Sequence, residues 1–130
     1  FEEAFDAISR QSDPKTLWGN VGLLVSIING ERLVATCIGS VKILRKNKDG
    51  IKTFAGHLSK EELRLYTERL CSGDYVLQCG NELTDSLRER EIQNILAEAK
   101  KPRQICDHLV ALARNAGTKR DFPLVVTQVI

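Results

Sequence analysis

The stretch Tyr75-Val-Leu-Gln-Cys-Gly-Asn-Glu-Leu-Thr-Asp85 decides the fold prediction, because its character changes in the middle. The residues from Tyr75 to Cys79 are compatible with a buried strand, since they are apolar and strand-prone around Gln78. Gly80-Asn81 then breaks the strand and leads into a helix. A strand that ends in a polar turn before a helix is a common place for α/β proteins to hold a ligand or a metal. What this turn can bind therefore decides the functional interpretation.

The length and composition are those of an ordinary globular domain. The chain has 130 residues, of which 42% are hydrophobic and 28% are charged, so we expect a single domain over residues 1–130. The formal net charge of +2 is too small to favour nucleic acid or a membrane surface. No apolar run reaches the length of a membrane span and no signal peptide is recognisable, which predicts an intracellular protein of the cytoplasm or nucleus. Because Phe1 rather than Met opens the chain, the hypothesis that it is a fragment, a processed product or an excised domain stays open.

Cysteine usage predicts structural thiols in a reducing compartment. No two cysteines form a C-x-x-C pair, and each lies in or beside an apolar stretch. They are Cys37, Cys71, Cys79 and Cys106. A zinc site would need closer spacing and more histidine than His57 and His108 supply.

Apolar patterning predicts antiparallel strands in the first half of the chain. A helix is expected over residues 1–10, followed by two hairpins within residues 23–54. Asn29-Gly30 is the turn signal of the first hairpin, because a type I′ turn needs positive φ at both central positions.

Helix signals dominate the second half. A capping box at Ser59 predicts a helix to about Leu70, and a second one at Ser86 predicts a helix that ends before Pro102. Pro102 fits the first turn of the following helix, and Gly117 fits its end.

The order of the predicted elements indicates the fold class. It is helix, four strands, helix, strand, two helices and a final strand over residues 124–130. Consecutive hairpins imply antiparallel pairing. We therefore predict an α+β fold, with a layered antiparallel β-sandwich-type sheet flanked by helices.

Four phrases, in this order, resemble the metal-dependent Ser/Thr protein phosphatases of type 2C. Residues 30–44 are similar to the family hairpin "VANVGDSRAYL", and residues 56–64 are similar to "DHS…EE…R". Residues 75–83 resemble "CSDGL" or "CTDGL", and residues 107–126 resemble "LVxxAxxxGxxDNITVVV". The resemblance covers nearly the whole chain and maps to the later part of a full phosphatase domain. It implies a β-sandwich flanked by helices, with two Mg or Mn ions held mainly by aspartates at one edge.

The resemblance also implies where metal ligands would stand, and this sequence departs from the family there. Asn81 stands at the ligand Asp of "CSDGL", and Arg120 stands at the ligand Asp of "DNIT". The Asp of "GDSR" is missing or replaced by Ser40, and the Asp of "DHS" is Gly56. The upstream "ED" and "DGHGG" motifs have no counterpart, and residues 71–74 lie where the family carries a long segment that includes a flap.

These departures weaken a metal site on physical grounds. A hard divalent ion prefers several anionic oxygen ligands, and Asn81 offers a neutral one. Arg120 would set a positive charge against the cation, which at about 4 Å costs several kcal/mol at an effective dielectric constant of ~20. A shift of one residue would place Asp121 there and restore one carboxylate. Without a metal-bound water there is no nucleophile for phosphate ester hydrolysis.

We therefore predict that the chain is not an enzyme but a catalytically inactive phosphatase-like domain, without metal or cofactor, that acts as a protein-binding regulator, scaffold or decoy. One alternative is a part of an active Mg/Mn-dependent Ser/Thr protein phosphatase, with ligands supplied by a missing segment. A further alternative is a basic module that binds nucleic acid or an anion. A missing N-terminal portion and flap would expose sheet edges, so we expect a protein partner or self-association, and neither nucleic acid nor membrane.

Two sets of residues also have ordinary structural interpretations. Arg114, Lys119 and Arg120 form a candidate anion site, but a solvated helix end that complements the helix dipole is favoured. Asn81 is favoured as a turn former, because Asn tolerates left-handed backbone.

Overall fold

The computed structural model describes residues 3, 22–56, 64–98 and 100–130. These ranges contain seven strands and three helices. The strands are β1 (Gly22–Asn29), β2 (Arg32–Gly39), β3 (Val41–Asn47), β4 (Gly50–Ala55), β5 (Tyr66–Arg69), β6 (Tyr75–Gly80) and β7 (Leu124–Gln128), and the helices are α1 (Asn81–Ser86), α2 (Glu89–Ala97) and α3 (Pro102–Asn115). Apart from Glu3, the helix predicted over residues 1–10 lies outside the described residues, as do His57 and Ser59. The predicted α+β fold is confirmed, since two antiparallel sheets accompany the helices.

The chain divides into two compact units. The first comprises residues 1–42 and 54–70, and the second comprises residues 43–53 and 71–130. No helix in the described ranges is long and apolar enough to cross a membrane.

The first sheet has the strand order β1-β2-β5. β1 pairs with β2 from Gly22↔Gly39 to Asn29↔Arg32, so the tight turn of this hairpin is Gly30-Glu31. The predicted turn at Asn29-Gly30 was therefore wrong by one residue. Gly30 has φ +59°, a left-handed conformation that glycine adopts without steric cost.

The helix predicted from Ser59 to about Leu70 is wrong in its second half. β5 lies there, and it pairs antiparallel with β2 from Arg32↔Arg69 to Ala35↔Tyr66. The edge of β2 supplies hydrogen-bond partners for this segment, and Leu70 N–H also donates to Glu31 O at 2.5 Å. Strand pairing satisfies the backbone here, so the local helix signal does not prevail.

The second sheet has the strand order β4-β3-β6-β7 and places the strand of the opening stretch beside the last strand. β6 and β7 are antiparallel, with Leu77 opposite Val126 and Cys79 opposite Leu124. The predicted strand from Tyr75 is confirmed, and it lies between two neighbours. The last strand ends at Gln128 rather than at Ile130.

The helices of the second unit differ in detail from the sequence prediction. Ser86 is the last residue of α1 rather than a helix N-cap, and α2 begins after Arg88, whose N–H donates to Glu91 Oε1 at 3.1 Å. Pro102 is confirmed in the first turn of α3. Gly117 follows the C-cap Ala116 with φ +103°, which suits glycine.

A single apolar cluster packs the second unit. Leu77 and Cys79 of β6 contribute to it, together with Leu83 of α1 and Leu109 of α3. The buried side of α2 is formed by Ile92, Ile95 and Leu96. These contacts fix the end of β6 relative to α1 and α3, which positions the candidate site.

Candidate functional site

The corner where β6 runs into α1 is held by the backbone. Gly80 N–H donates to Pro123 O at 3.1 Å, which ties the corner to the segment before β7. A Cβ on Gly80 would collide with Glu82 Oε2 and would lie 3.2 Å from Pro123 Cδ. Glycine therefore allows the Glu82 carboxylate to fold back over the corner.

Asn81 is the first residue of α1, and its side chain is the unusual feature of the corner. Its Oδ1 is buried and lacks a hydrogen-bond partner among the described residues. A buried amide oxygen without a partner loses the stabilisation that it had in water. The predicted role of Asn81 as a turn former does not account for this oxygen.

A groove of about 420 Å³ opens beside the corner, within the second unit. Its walls come from α1 and from the loop between α3 and β7. It is lined by Glu82, Asp85, Ser86, Ala116, Gly117, Thr118, Lys119 and Arg120. Two of these lining residues, Ser86 of α1 and Thr118 of the loop, are hydrogen-bonded to each other through their hydroxyl groups. The groove therefore has carboxylates from α1 and basic groups from the loop.

Arg114 organises the loop wall from the last turn of α3. Its Nη1 donates to Thr118 O at 3.0 Å and to Arg120 O at 2.8 Å, and its Nη2 pairs with Asp121 Oδ1 at 2.9 Å. The guanidinium carbon lies 5.7 Å from the centre of the Phe122 ring. Of the three residues in the predicted anion site, Arg114 is thus engaged with the loop, whereas Lys119 and Arg120 line the groove.

The other two predicted metal positions, Ser40 and Gly56, belong to the first unit. Gly56 N–H donates to Val41 O at 2.9 Å, and a Cβ on Gly56 would collide with Gly39 O. A side chain, including the Asp of the family phrase, cannot be placed at Gly56 without moving backbone. Ser40 is half-buried in the bend between β2 and β3. The structure therefore brings Gly56 close to the residues before Ser40, and it brings Arg120 to the same groove as Glu82.

The described residues do not by themselves make a complete divalent-metal site. No three His, Cys, Asp or Glu side chains come together within the described ranges in a way that could hold a metal ion. Asn81 Oδ1 has the chemistry of a ligand for a hard cation, since it is a buried oxygen that no described residue hydrogen-bonds. One such neutral oxygen does not constitute a site, so we derive no chemical step through a metal.

Sequence reasoning missed part of the groove. It did not connect Glu82 with Asp85, although a spacing of three residues after a helix start places two side chains on one face. Ser86 and Thr118 lie far apart in sequence, and their contact has no sequence signal.

Comparison with solved structures finds the same fold in bacterial serine/threonine phosphatases. A bacterial serine phosphatase matches with a TM-score of 0.78 at 14% identity, over 99% of this chain and 66% of that one. The S. agalactiae serine/threonine phosphatase matches with a TM-score of 0.76 at 17% identity, over 99% and 67%. The catalytic domain of the serine/threonine protein phosphatase PstP, in complex with 2 manganese ions, matches with a TM-score of 0.72 at 17% identity, over 97% and 67%.

The chain spans only part of the structures that it matches. The share is about two thirds in these three, and it is 51% in the structure of a bacterial serine phosphatase that bears a point mutation. No protein-family model matches the chain, and no curated protein matches it by sequence.

The prediction that the chain is not an enzyme is corrected by these comparisons. The solved structures that share its fold include serine/threonine phosphatases, and one of them is a catalytic domain with bound manganese, so the fold gives no support to the prediction of an inactive chain. Inactivity was predicted from the loss of Asp at Asn81, Arg120, Ser40 and Gly56. The sequence does not show that Oδ1 of Asn81 is buried with no hydrogen-bond partner among the described residues. The predicted role as a protein-binding regulator is not tested by any described contact and stays a prediction. What the comparisons establish is that this chain has the fold of the type 2C serine/threonine phosphatases.

Proposed function

We propose that the chain is part of a Mg/Mn-dependent phosphatase that hydrolyses phosphoserine or phosphothreonine in proteins. The observation that carries the proposal is the match of nearly the whole chain, 99% of it, to a bacterial serine phosphatase at a TM-score of 0.78. The groove beside the β6–α1 corner supports it, because it offers space and charged groups where the chain turns from strand to helix.

The metal ligands of this phosphatase would come in part from outside the described residues. The described ranges hold no cluster of three acidic, His or Cys side chains, and further carboxylates of this chain, such as Asp6, Asp13 and Glu61, lie outside those ranges. Asn81 would contribute a neutral oxygen ligand, because its buried Oδ1 has no hydrogen-bond partner in the part of the chain that the structure describes. Mg²⁺ or Mn²⁺ is the expected ion, because these ions take oxygen ligands.

Hydrolysis of a small aryl phosphate by the purified chain tests the proposal. We expect turnover with millimolar Mn²⁺ or Mg²⁺ and none in EDTA. Gly80→Val should remove the turnover, because its side chain would displace Glu82 and Pro123 from the corner. Thr53→Val, at an exposed position of β4, is the matched control and should keep it. A folded chain whose turnover in Mn²⁺ equals that in EDTA would contradict the proposal.

A further inference from the structure

The loop wall of the groove presents positive side chains that form no ion pair with any residue that the structure describes. Lys119 and Arg120 are exposed, and neither has a hydrogen bond or an ion pair through its side chain among the described residues. The nearest carboxylate in sequence, Asp121, is paired with Arg114 instead. This wall can therefore accept an anion without first breaking an ion pair.

Arg114 also determines which way the loop backbone faces. It holds the carbonyl oxygens of Thr118 and Arg120, at 3.0 and 2.8 Å. Because the C=O and N–H of a trans peptide unit point in opposite directions, the N–H groups of Lys119 and Asp121 point away from Arg114. Backbone N–H groups that point away from a cation in this manner can donate to an anion that reaches them. The backbone and side chains of the loop thus favour the same sign of ligand charge.

The α1 wall has the opposite sign. Glu82 is half-buried and Asp85 is exposed, and their spacing of three residues places both on one face of α1. Neither carboxylate is in an ion pair with another described residue, although Lys119 and Arg120 line the same groove. The charged groups of both walls can therefore interact with a ligand in the groove.

From these two walls we infer that the groove binds a phosphorylated peptide segment in which basic residues flank the phosphoserine or phosphothreonine. The phosphate lies at Lys119 and Arg120, and a flanking Lys or Arg lies at Glu82 and Asp85. A volume of about 420 Å³ is within the range of ligand pockets and exceeds what a phosphate alone needs. This inference rests on the proposed phosphatase function and specifies the substrate class of that site.

Peptide binding in EDTA tests the inference without hydrolysis. Two phosphoserine peptides that differ only in having Lys or Glu on both sides of the phosphoserine are titrated into the full chain by calorimetry. We expect the Lys peptide to bind about tenfold more tightly than the Glu peptide. The carboxylates of Glu82 and Asp85 attract the flanking Lys residues and repel the flanking Glu residues. Lys119→Gln with Arg120→Gln should weaken both peptides alike. Equal affinities of the two peptides, or no binding of either, would overturn the inference.

Variants of the α1 wall give a more specific test of the inferred charge preference. Glu82→Gln with Asp85→Asn should remove the preference, and Glu82→Lys with Asp85→Lys should invert it. The matched control, Glu89→Gln with Asp107→Asn, makes the same charge change at exposed positions of α2 and α3 and should leave the preference intact. A preference that survives the Glu82/Asp85 variants would overturn the inference. A preference without hydrolysis in Mn²⁺ contradicts only the proposed function, whereas hydrolysis without a preference contradicts only this inference.

Discussion

Asn81 is the residue whose role at the candidate site depends most on combining the sequence with the structure. The resemblance to the type 2C phrase placed Asn81 at a metal-ligand position, and the change from Asp to Asn showed that the negative charge is lost there. The sequence could not show that Oδ1 would be buried without a partner, because that depends on how α1 packs after Gly80. The same holds for Gly56, whose lack of a side chain is explained by the backbone of Gly39 and not by any local pattern.

Asn81→Asp should bind Mn²⁺ more tightly than the wild-type chain. Without metal the new carboxylate is partly desolvated and unpaired, so we expect a loss of about 1–3 kcal/mol in the free energy of unfolding. Mn²⁺ should recover stability, because an ion that binds the folded state raises the melting temperature. Melting curves in Mn²⁺ and in EDTA measure both effects. Asn94→Asp, at an exposed position of α2, is the control, and an equal Mn²⁺ response in the two variants would contradict the prediction.

Cys37 should make stability depend on pH in the alkaline range. Burial raises the pKa of its thiol from 9.0 to about 11. Because the folded-state pKa is the higher one, the contribution of the thiol is complete below pH about 9 and is lost as the pH rises through about 11. Urea unfolding across this range should show a smaller loss of stability in Cys37→Ala than in the wild-type chain. Cys71→Ala, at an exposed cysteine, should follow the wild-type profile, and identical profiles for both variants would disprove the assignment.

At the scale of elements, patterns with a local cause were predictable and those with a distant cause were not. Apolar runs predicted strands β6 and β7, and Pro102 predicted the start of α3. The segment after Ser59 carries a helix signal, yet residues 66–69 form β5, because β2 offers an edge with which they pair. The hairpin turn moved by one residue, since pairing of Asn29 with Arg32 leaves Gly30-Glu31 as the loop.

Arg114→Gln should loosen the loop between α3 and β7. The change removes two charged hydrogen bonds to loop carbonyls and the ion pair with Asp121, at a half-exposed site. We expect a loss of about 1–2 kcal/mol in the free energy of unfolding. Hydrogen exchange of the Thr118 amide, which donates to Ala113 O at 3.1 Å, should rise as well. The control is Arg103→Gln, an exposed position near the start of the same helix, and equal losses in the two variants would refute the role of Arg114.

At the scale of the molecule, element order carried the fold prediction. Two hairpins, a strand between helical segments and a last strand fit an α+β protein with antiparallel sheets, and two such sheets are present. The family phrases added the type 2C resemblance, and solved phosphatases share the fold at 14–17% identity. The groove was not predictable as a whole, because it joins residues 82–86 to residues 116–120 through packing of α1 against α3.

The most direct test of the account is the dephosphorylation of a phosphoserine peptide by the purified chain, followed by mass spectrometry. Basic residues on both sides of the phosphoserine give the peptide the charge that the groove is expected to select. We expect loss of the phosphate in millimolar Mn²⁺, no loss in EDTA, and recovery when excess Mn²⁺ is returned. A folded chain that leaves the peptide fully phosphorylated in Mn²⁺ would contradict it.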